Sequence, residues 1–261
     1  MNILDKIIEH KKEEVRKAKS EVSLSELMDS EYFGKTGKSL KKTLKEKTGI
    51  IAEFKRQSPS KGIINNQSDV LEVISSYAEF GASAVSILTD MQFFGGSLED
   101  ISQVRKSIEI PILRKDFMID EYQFYEAKSF GADVILLIAA NLSVSQVQEF
   151  TALSHQMGLE VLLEIHDEAE LKHINNDIDF IGINNRNLKD FKVDLQHSIN
   201  LKNQLPKDIL KIAESGIYSV EDFKFLKEKN FDGFLMGEYF MKTENPGATF
   251  EEFTNHFNFT T

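Results

Sequence analysis

From about residue 50 onward, short apolar runs alternate with longer amphipathic runs that carry charge. This is the pattern of repeated strand–helix units that build a parallel sheet. Strands are predicted at Gly49–Phe54, Ala84–Leu88, Ile110–Arg114, Asp133–Ile138, Glu160–Ile165, Phe180–Asn184, Leu210–Ala213 and Gly233–Met236. Helices are predicted between them at Asp69–Phe80, Ser97–Lys106, Tyr122–Phe130, Ser143–Met157, Asp167–Ile174, Val220–Lys229 and Thr249–Phe257, with Leu195–Gln204 filling the remaining gap. Gly81, Gly131, Gly158 and Asn230 stand at helix exits, where a left-handed residue stops the helix. Eight strands can close into a barrel or stay open as a doubly wound sheet. The open form usually carries a glycine-rich phosphate loop after its first strand, and neither G-x-G-x-x-G nor G-x-x-x-x-G-K-[ST] occurs here. The expected class is therefore α/β, a (β/α)₈ TIM barrel.

Residues 1–48 precede the first strand and read as a helical extension. Ile3, Leu4, Ile7, Ile8 and Val15 form one apolar stripe, and Ser23–Met28 and Leu40–Leu44 suit two short helices. The stripe has to be buried against a partner or across a barrel face, there either as a plug under the barrel or as a cap beside its mouth.

Length and composition fit this picture. A chain of 261 residues, 41% hydrophobic, can fill a single domain with a substantial core, here the extension over 1–48 and the barrel over 49–261. The 31 Lys and Arg against 42 Asp and Glu give a net charge of -11, with no basic run interleaved with aromatics, so no nucleic-acid partner is expected. The absence of cysteine excludes disulfides, thiolate metal sites and a cysteine nucleophile. Asp5, Lys6 and Glu9 interrupt what would be the apolar core of a signal peptide, and no apolar stretch reaches the roughly 20 residues that span a bilayer. A soluble cytoplasmic protein with no membrane partner is expected.

In such a barrel, catalytic groups sit where strands pass into the following loops. The segment IIAEFKRQSPSKG (Ile50–Gly62) runs from an apolar strand straight into acid, base, hydroxyl and glycine, and strand alternation puts Glu53 and Lys55 on one face, opposite Ala52 and Phe54. The second strand leads through Thr89-Asp90 to Phe93-Phe94-Gly95-Gly96-Ser97, and the third ends in Lys115-Asp116-Phe117. The fifth carries Glu164 after a buried run, the sixth ends in Asn184-Asn185-Arg186, the seventh in Glu214-Ser215-Gly216 and the eighth in Gly237-Glu238. Any one of these charges has an ordinary structural explanation; Lys115-Asp116 alone reads as a local ion pair. Charges and amides at nearly every strand end are hard to explain as packing, because burying each without a partner costs several kcal/mol. Loops after the last two strands commonly cradle phosphate, and the glycines there permit close backbone approach, which points to a phosphorylated substrate. Phe54, Phe93, Phe94 and Phe117 could wall an aromatic ring or simply pack the core or a lid. His166 beside Glu164 belongs to no metal-ligand spacing among the six histidines.

The motifs IAEFKRQSPS (Ile51–Ser60), VSILT (Val85–Thr89) with FFGGS (Phe93–Ser97), PILRKDF (Pro111–Phe117), LEIHDE (Leu163–Glu168), IGINNRNL (Ile181–Leu188), AESGI (Ala213–Ile217) and LMGE (Leu235–Glu238) occur in that order. Through them nearly the whole chain, extension included, resembles the indole-3-glycerol phosphate synthases, decarboxylating and ring-closing lyases of tryptophan biosynthesis. The resemblance implies an N-terminal helical extension over the catalytic mouth and no metal or organic cofactor. The implied substrate is 1-(2-carboxyphenylamino)-1-deoxyribulose 5-phosphate. Lys115 would then be the general acid that protonates the carbonyl oxygen as the ring carbon attacks. Glu164 would be the acid/base partner for loss of the hydroxyl. Glu53, Lys55 and Asn184 would orient substrate and share proton transfer, with Glu214 and Ser215 also in the functional set. Ser58, Phe94, Phe117, Arg186, Gly216, Leu235, Gly237 and Glu238 complete the implied binding residues, the phosphate lying on Ser215-Gly216 and Gly237-Glu238 with help from Lys55 and Ser58. A monomer or weak homo-oligomer is expected. Two other readings stand beside this one: the phosphoribosylanthranilate isomerase barrel, whose usual first-strand cysteine base is missing here, and a barrel that binds a phosphometabolite without chemistry.

Overall fold

A computed structural model of the chain describes residues 2–187 and 192–257. Eight parallel strands close on themselves in sequence order: Ile50–Phe54, Ala84–Leu88, Ile112–Lys115, Val134–Ile138, Glu160–Ile165, Phe180–Asn184, Leu210–Glu214 and Gly233–Met236. Closure comes from the first strand pairing with the eighth, Ile50 against Phe234 through Ala52 against Met236. Strand alternation divides the apolar residues into two cores. Ile51, Ala84, Leu113, Leu136, Leu162, Phe180, Ile212 and Leu235 fill the barrel interior. Ala52, Val85, Ile112, Ile135, Val161 and Ile181 face outward to pack beneath the helices.

The predicted strands are all present, with shifted ends. The third starts at Ile112 rather than Ile110 and extends to Lys115. Pro111 has no N–H to offer a ladder, although its carbonyl accepts from Val85 N at 3.0 Å. The seventh strand runs on to Glu214, one residue past the prediction, which puts that carboxylate in the barrel wall. Asp167–Ile174 forms six residues of 3₁₀-helix, Glu168–His173, not an α-helix. The last helix begins at Pro246 under an Asn245 cap, earlier than the expected Thr249, and ends at Asn255. Patterning also missed three short elements: a hairpin pairing Gln57-Ser58 with Gly62-Ile63, the helix Met91–Phe94 and the 3₁₀ turn Ala139–Asn141. Each is too short to show a period. Asn230 and Gly131, both at helix exits, have the positive φ (59° and 96°) expected of stop residues. Leu188, at the end of the Ile181–Leu188 motif, lies outside the described residues. Among the described residues no helix is long and apolar enough to cross a membrane.

The N-terminal extension does both of the things its stripe allowed. The helix Ile3–Glu21, opened by an Asn2/Asp5 capping box, lays Ile3, Leu4 and Ile7 over the mouth of the barrel. The helix Leu40–Glu46 plugs the other end, where Leu40 and Leu44 join the inner core. The first helix is anchored by a charged residue on its buried face. Lys11 is fully buried, its Nζ 2.8 Å from Asp116, 3.0 Å from Asp90 and 3.0 Å from Glu14. Burial opposes the ammonium, but Asp116, Asp90 and Glu14 together raise its pKa.

Candidate active site

Inward-facing positions at the C-terminal ends of the strands meet in one cavity. Glu53, two residues after the inward Ile51, is buried and accepts from Lys55 Nζ at 2.7 Å and from Ser86 Oγ at 3.4 Å. On the third strand Lys115 points in, while its neighbours Arg114 and Asp116 point out. Its ammonium lies 2.6 Å from Glu164 Oε2 and 2.8 Å from Glu214 Oε2. The Lys115-Asp116 ion pair, the ordinary structural explanation of those two charges, is therefore not formed, because adjacent residues on a strand face opposite ways. Asp116 binds instead to Lys11, to Arg114 at 3.1 Å and to Thr89 Oγ1 at 2.6 Å. Asn184 Nδ2 donates to Glu164 Oε1 at 3.0 Å, so the carboxylate is gripped from the third and sixth strands together.

The electrostatics follow from this packing. Burial works against the Lys115 ammonium, but Glu164, Glu214 and Glu53 outweigh it and raise its pKa. Burial would protonate Glu164; Lys115 and His166 override it and hold the carboxylate well below its usual range. Glu214 loses that contest: burial, with Glu164 adding to it and Lys115 opposing, pushes it up to about 7. Near neutral pH the Lys115 cluster therefore combines a firm carboxylate at Glu164, the ammonium itself and a Glu214 carboxyl poised to exchange a proton.

All fifteen residues implied as catalytic or binding line this cavity: Glu53, Lys55, Ser58, Phe94, Lys115, Phe117, Glu164, Asn184, Arg186, Glu214, Ser215, Gly216, Leu235, Gly237 and Glu238. Two of the four aromatic candidates do not. Phe54 faces the outer core, as alternation after Glu53 requires, with the Arg56 guanidinium over its ring. Phe93 packs edge-on against His10. Phe94 and Phe117 remain as the aromatic wall, their ring centroids 6.2 Å apart. Across the mouth, Arg186 donates to Ser60 Oγ at 2.9 Å and Tyr218 Oη at 2.8 Å and pairs with Glu238 at 3.3 Å, tying loops from the first, seventh and eighth strands.

At the seventh strand, Ser215 and Gly216 are both left-handed, with φ of 64° and 73°. For serine this costs about 1–3 kcal/mol, and the Asn185 amide helps to hold the turn by donating to the Ser215 carbonyl at 2.7 Å. At the eighth, Gly237 opens the short helix Glu238–Met241. A side chain at Gly237 would come within 2.8 Å of Glu53 Oε1, so glycine there leaves the Glu53 carboxylate its place.

Sequence reasoning missed Lys11, Gly182 and the position of His166. Lys11 had a signal, since it continues the Ile7 and Val15 row at spacings of four on an otherwise apolar face. Gly182 had one also, a glycine between Ile181 and Ile183 in a buried strand, which marks close approach of another group. That group is Glu214: a Cβ on residue 182 would overlap Glu214 Oε1. Gly182→Ala is expected to push Glu214 off Lys115 and lower kcat about tenfold, with a stability loss of about 1–3 kcal/mol from overpacking. Steady-state turnover and urea unfolding check this, and parental values in both would show that Glu214 moves aside freely. Among the described residues no group of three or more His, Asp or Glu has a metal-binding arrangement.

Known proteins match this chain along its length. A family profile described as indole-3-glycerol phosphate synthase matches residues 4–253. An indole-3-glycerol phosphate synthase of Bacteroides thetaiotaomicron is 50% identical over 253 residues, covering 97% of each chain. That of Caldanaerobacter subterraneus subsp. tengcongensis is 44% identical over 245 residues, covering 93% of this chain and 94% of the relative. That of Campylobacter jejuni subsp. jejuni is 42% identical over 250 residues, covering 94% and 97%. Among solved structures, a 3-hexulose-6-phosphate synthase superposes with a TM-score of 0.63 at 13% identity over 79% of this chain and 98% of its own, a likeness of fold alone. With a closed eight-stranded barrel, a capping N-terminal helix and this extent of identity, the chain belongs to the indole-3-glycerol phosphate synthase family.

Proposed function

We propose that the cavity converts 1-(2-carboxyphenylamino)-1-deoxyribulose 5-phosphate to indole-3-glycerol phosphate, carbon dioxide and water, with Lys115 as general acid and Glu164 as acid/base partner. Family membership makes the chain an enzyme, a carboxy-lyase of tryptophan biosynthesis. The observation that carries the assignment of roles is the Lys115 ammonium, buried between Glu164 and Glu214 at 2.6 and 2.8 Å. Such a group is positioned, charged and already desolvated where a carbonyl oxygen gains negative charge.

In ring closure, the ring carbon that bears the carboxylate bonds to the carbonyl carbon, and the carbonyl oxygen takes a proton from Lys115. Departure of carbon dioxide returns its bonding pair to the ring and restores aromaticity. This requires the carboxylate to stand perpendicular to the ring, an orientation that the Phe94 and Phe117 walls can enforce. The new hydroxyl then leaves as water, which needs a proton at its oxygen and loss of one from the adjacent carbon. Glu164, ionised and held by Asn184, is suited to that exchange. Glu214, near neutrality in its proton affinity, can return a proton to Lys115 for the next turnover. Glu53 and Lys55 orient the substrate, and Ser58 and Lys55 reach toward a phosphate resting on the backbone at Ser215-Gly216 and Gly237-Glu238. Arg186 and Leu235 complete the enclosure. On this reading the chain works in the cytoplasm as a single barrel domain, monomeric or weakly self-associating.

A barrel that only bound a phosphometabolite would gain nothing from setting Glu53, Glu164 and Glu214 against an anionic ligand. Incubation of purified protein with the carboxyphenylamino substrate tests the choice directly. Growth of indole fluorescence with release of one equivalent of carbon dioxide is expected. Saturable binding without product would establish the non-catalytic alternative.

A further inference from the structure

Beside the Glu164 oxygen that Lys115 does not bind sits a histidine that the reaction leaves unused. His166 follows Glu164 by two residues, so it shares that strand face, yet it does not line the cavity. Its side chain is 9% exposed, with Nε2 3.2 Å from Glu164 Oε1 and Nδ1 3.5 Å from Glu170 Oε2. Neither ring nitrogen completes a hydrogen bond of good geometry. The ring thus lies between two carboxylates, a setting that favours its protonated form. The backbone fixes it further: His166 N donates to Glu170 Oε2 at 2.6 Å, and the His166 carbonyl contacts His197 Nε2 at 2.8 Å.

We propose that His166 is a positioning residue for the reaction, its imidazolium clamped between Glu164 and Glu170 and supplying the cation that keeps Glu164 ionised and aimed into the cavity. Glu164 faces Lys115 from the third strand, Asn184 from the sixth, Glu214 from the seventh and His166 from its own strand end. His166 faces Glu164 and, from the 3₁₀ turn that follows, Glu170. Lys115 is shared between Glu164 and Glu214, so on its own it is half-spent; the second cation lets Glu164 stay charged while Glu214 takes up a proton. Burial lowers the proton affinity of the His166 ring, but the two carboxylates outweigh it and push its pKa up to about 10.

The inference rests on Glu164 as the proton-exchanging group, and its test separates the two claims. His166→Asn keeps a small polar side chain without the charge; His166→Lys keeps the charge. In His166→Asn the acid limb of the kcat profile is expected to move up by about one to three pH units, the effect of removing an opposite charge at this range. The KM should stay within about twofold, and His166→Lys should restore much of the loss near neutral pH. A His166→Asn profile that superimposes on the parent's, or a His166→Lys variant as impaired as His166→Asn, overturns the proposal. Proton NMR of the parent gives a second readout that needs neither variant to fold: the His166 ring is expected to stay protonated through pH 8, and titration near the ordinary value of about 6.5 overturns the proposal. Glu164→Gln with parental turnover would instead remove Glu164 from its role, whereas the NMR titration would still report the imidazolium.

Discussion

Turnover of Lys115→Met is expected to fall about 100- to 10,000-fold, the range spanned by loss of a positioned general acid. Methionine matches much of the stem and removes the ammonium, leaving Glu164 and Glu214 facing each other across the cavity. Two buried carboxylates without their shared cation do not both stay ionised, so Glu214 holds its proton and Glu164 is left with His166 as its one remaining cation. The variant therefore loses the proton donor and weakens the hold on the acid/base partner in a single change. Because the methionine is apolar and the Glu214 carboxyl already titrates near neutrality, the barrel itself should persist. Single-turnover measurement of indole formation checks the size of the effect. A rate within tenfold of the parent's would assign the proton to another group, of which Lys55 is the first candidate.

Lys11→Met is expected to cost about 3–5 kcal/mol of stability, the scale of breaking a buried ion pair from one side. Its ammonium lies within 3.0 Å of Asp90, Asp116 and Glu14, and without it Asp90 keeps no cation among the partners described. For a domain of this size such a loss lowers Tm by about 10 °C. The pH dependence has a definite sign. Burial would raise the Asp116 carboxyl, but Lys11 and Arg114 override it and hold it down to about 2. A depressed folded-state pKa contributes stability that is present above the ordinary aspartate value, near 3.8, and disappears as pH falls through about 2. Lys11→Met should flatten that part of the acid unfolding curve. Chemical denaturation at pH 7 and at pH 3 measures both effects, and a loss under about 1 kcal/mol at pH 7 would mean that the helix is held by its apolar stripe alone.

The barrel was legible because a parallel strand covered by helices must be apolar on both faces, and eight such runs stand out against charged helices. The mouth was legible for the complementary reason: Glu53, Lys115, Glu164 and Glu214 end apolar runs where a charge has no place unless it is used. What the chain concealed depends on direction and depth. Lys115 and Asp116 are neighbours in sequence and strangers in space, since the pleat sends one into the cavity and the other toward Lys11. Gly182 offers no side chain to read, and its purpose exists only once Glu214 lies over it. Arg114, 1% exposed and bound to Glu126, Asp116 and Thr89, looks like an ordinary surface charge until the helix that covers it is in place. The two-residue hairpin at Gln57 and Gly62 is held by loop geometry, which carries no hydrophobic period.

Sealing the ring has a consequence for synthesis on the ribosome. Ile50–Ala52 finds its second neighbour only in Phe234–Met236, which emerges after most of the chain has been translated. Until then the nascent protein presents two open sheet edges, one at its oldest strand and one at its newest, each able to accept a foreign strand. Growth conditions that slow elongation past residue 230 should therefore tax chaperones more than equal delays near residue 100, where few strands yet exist to be left unpaired.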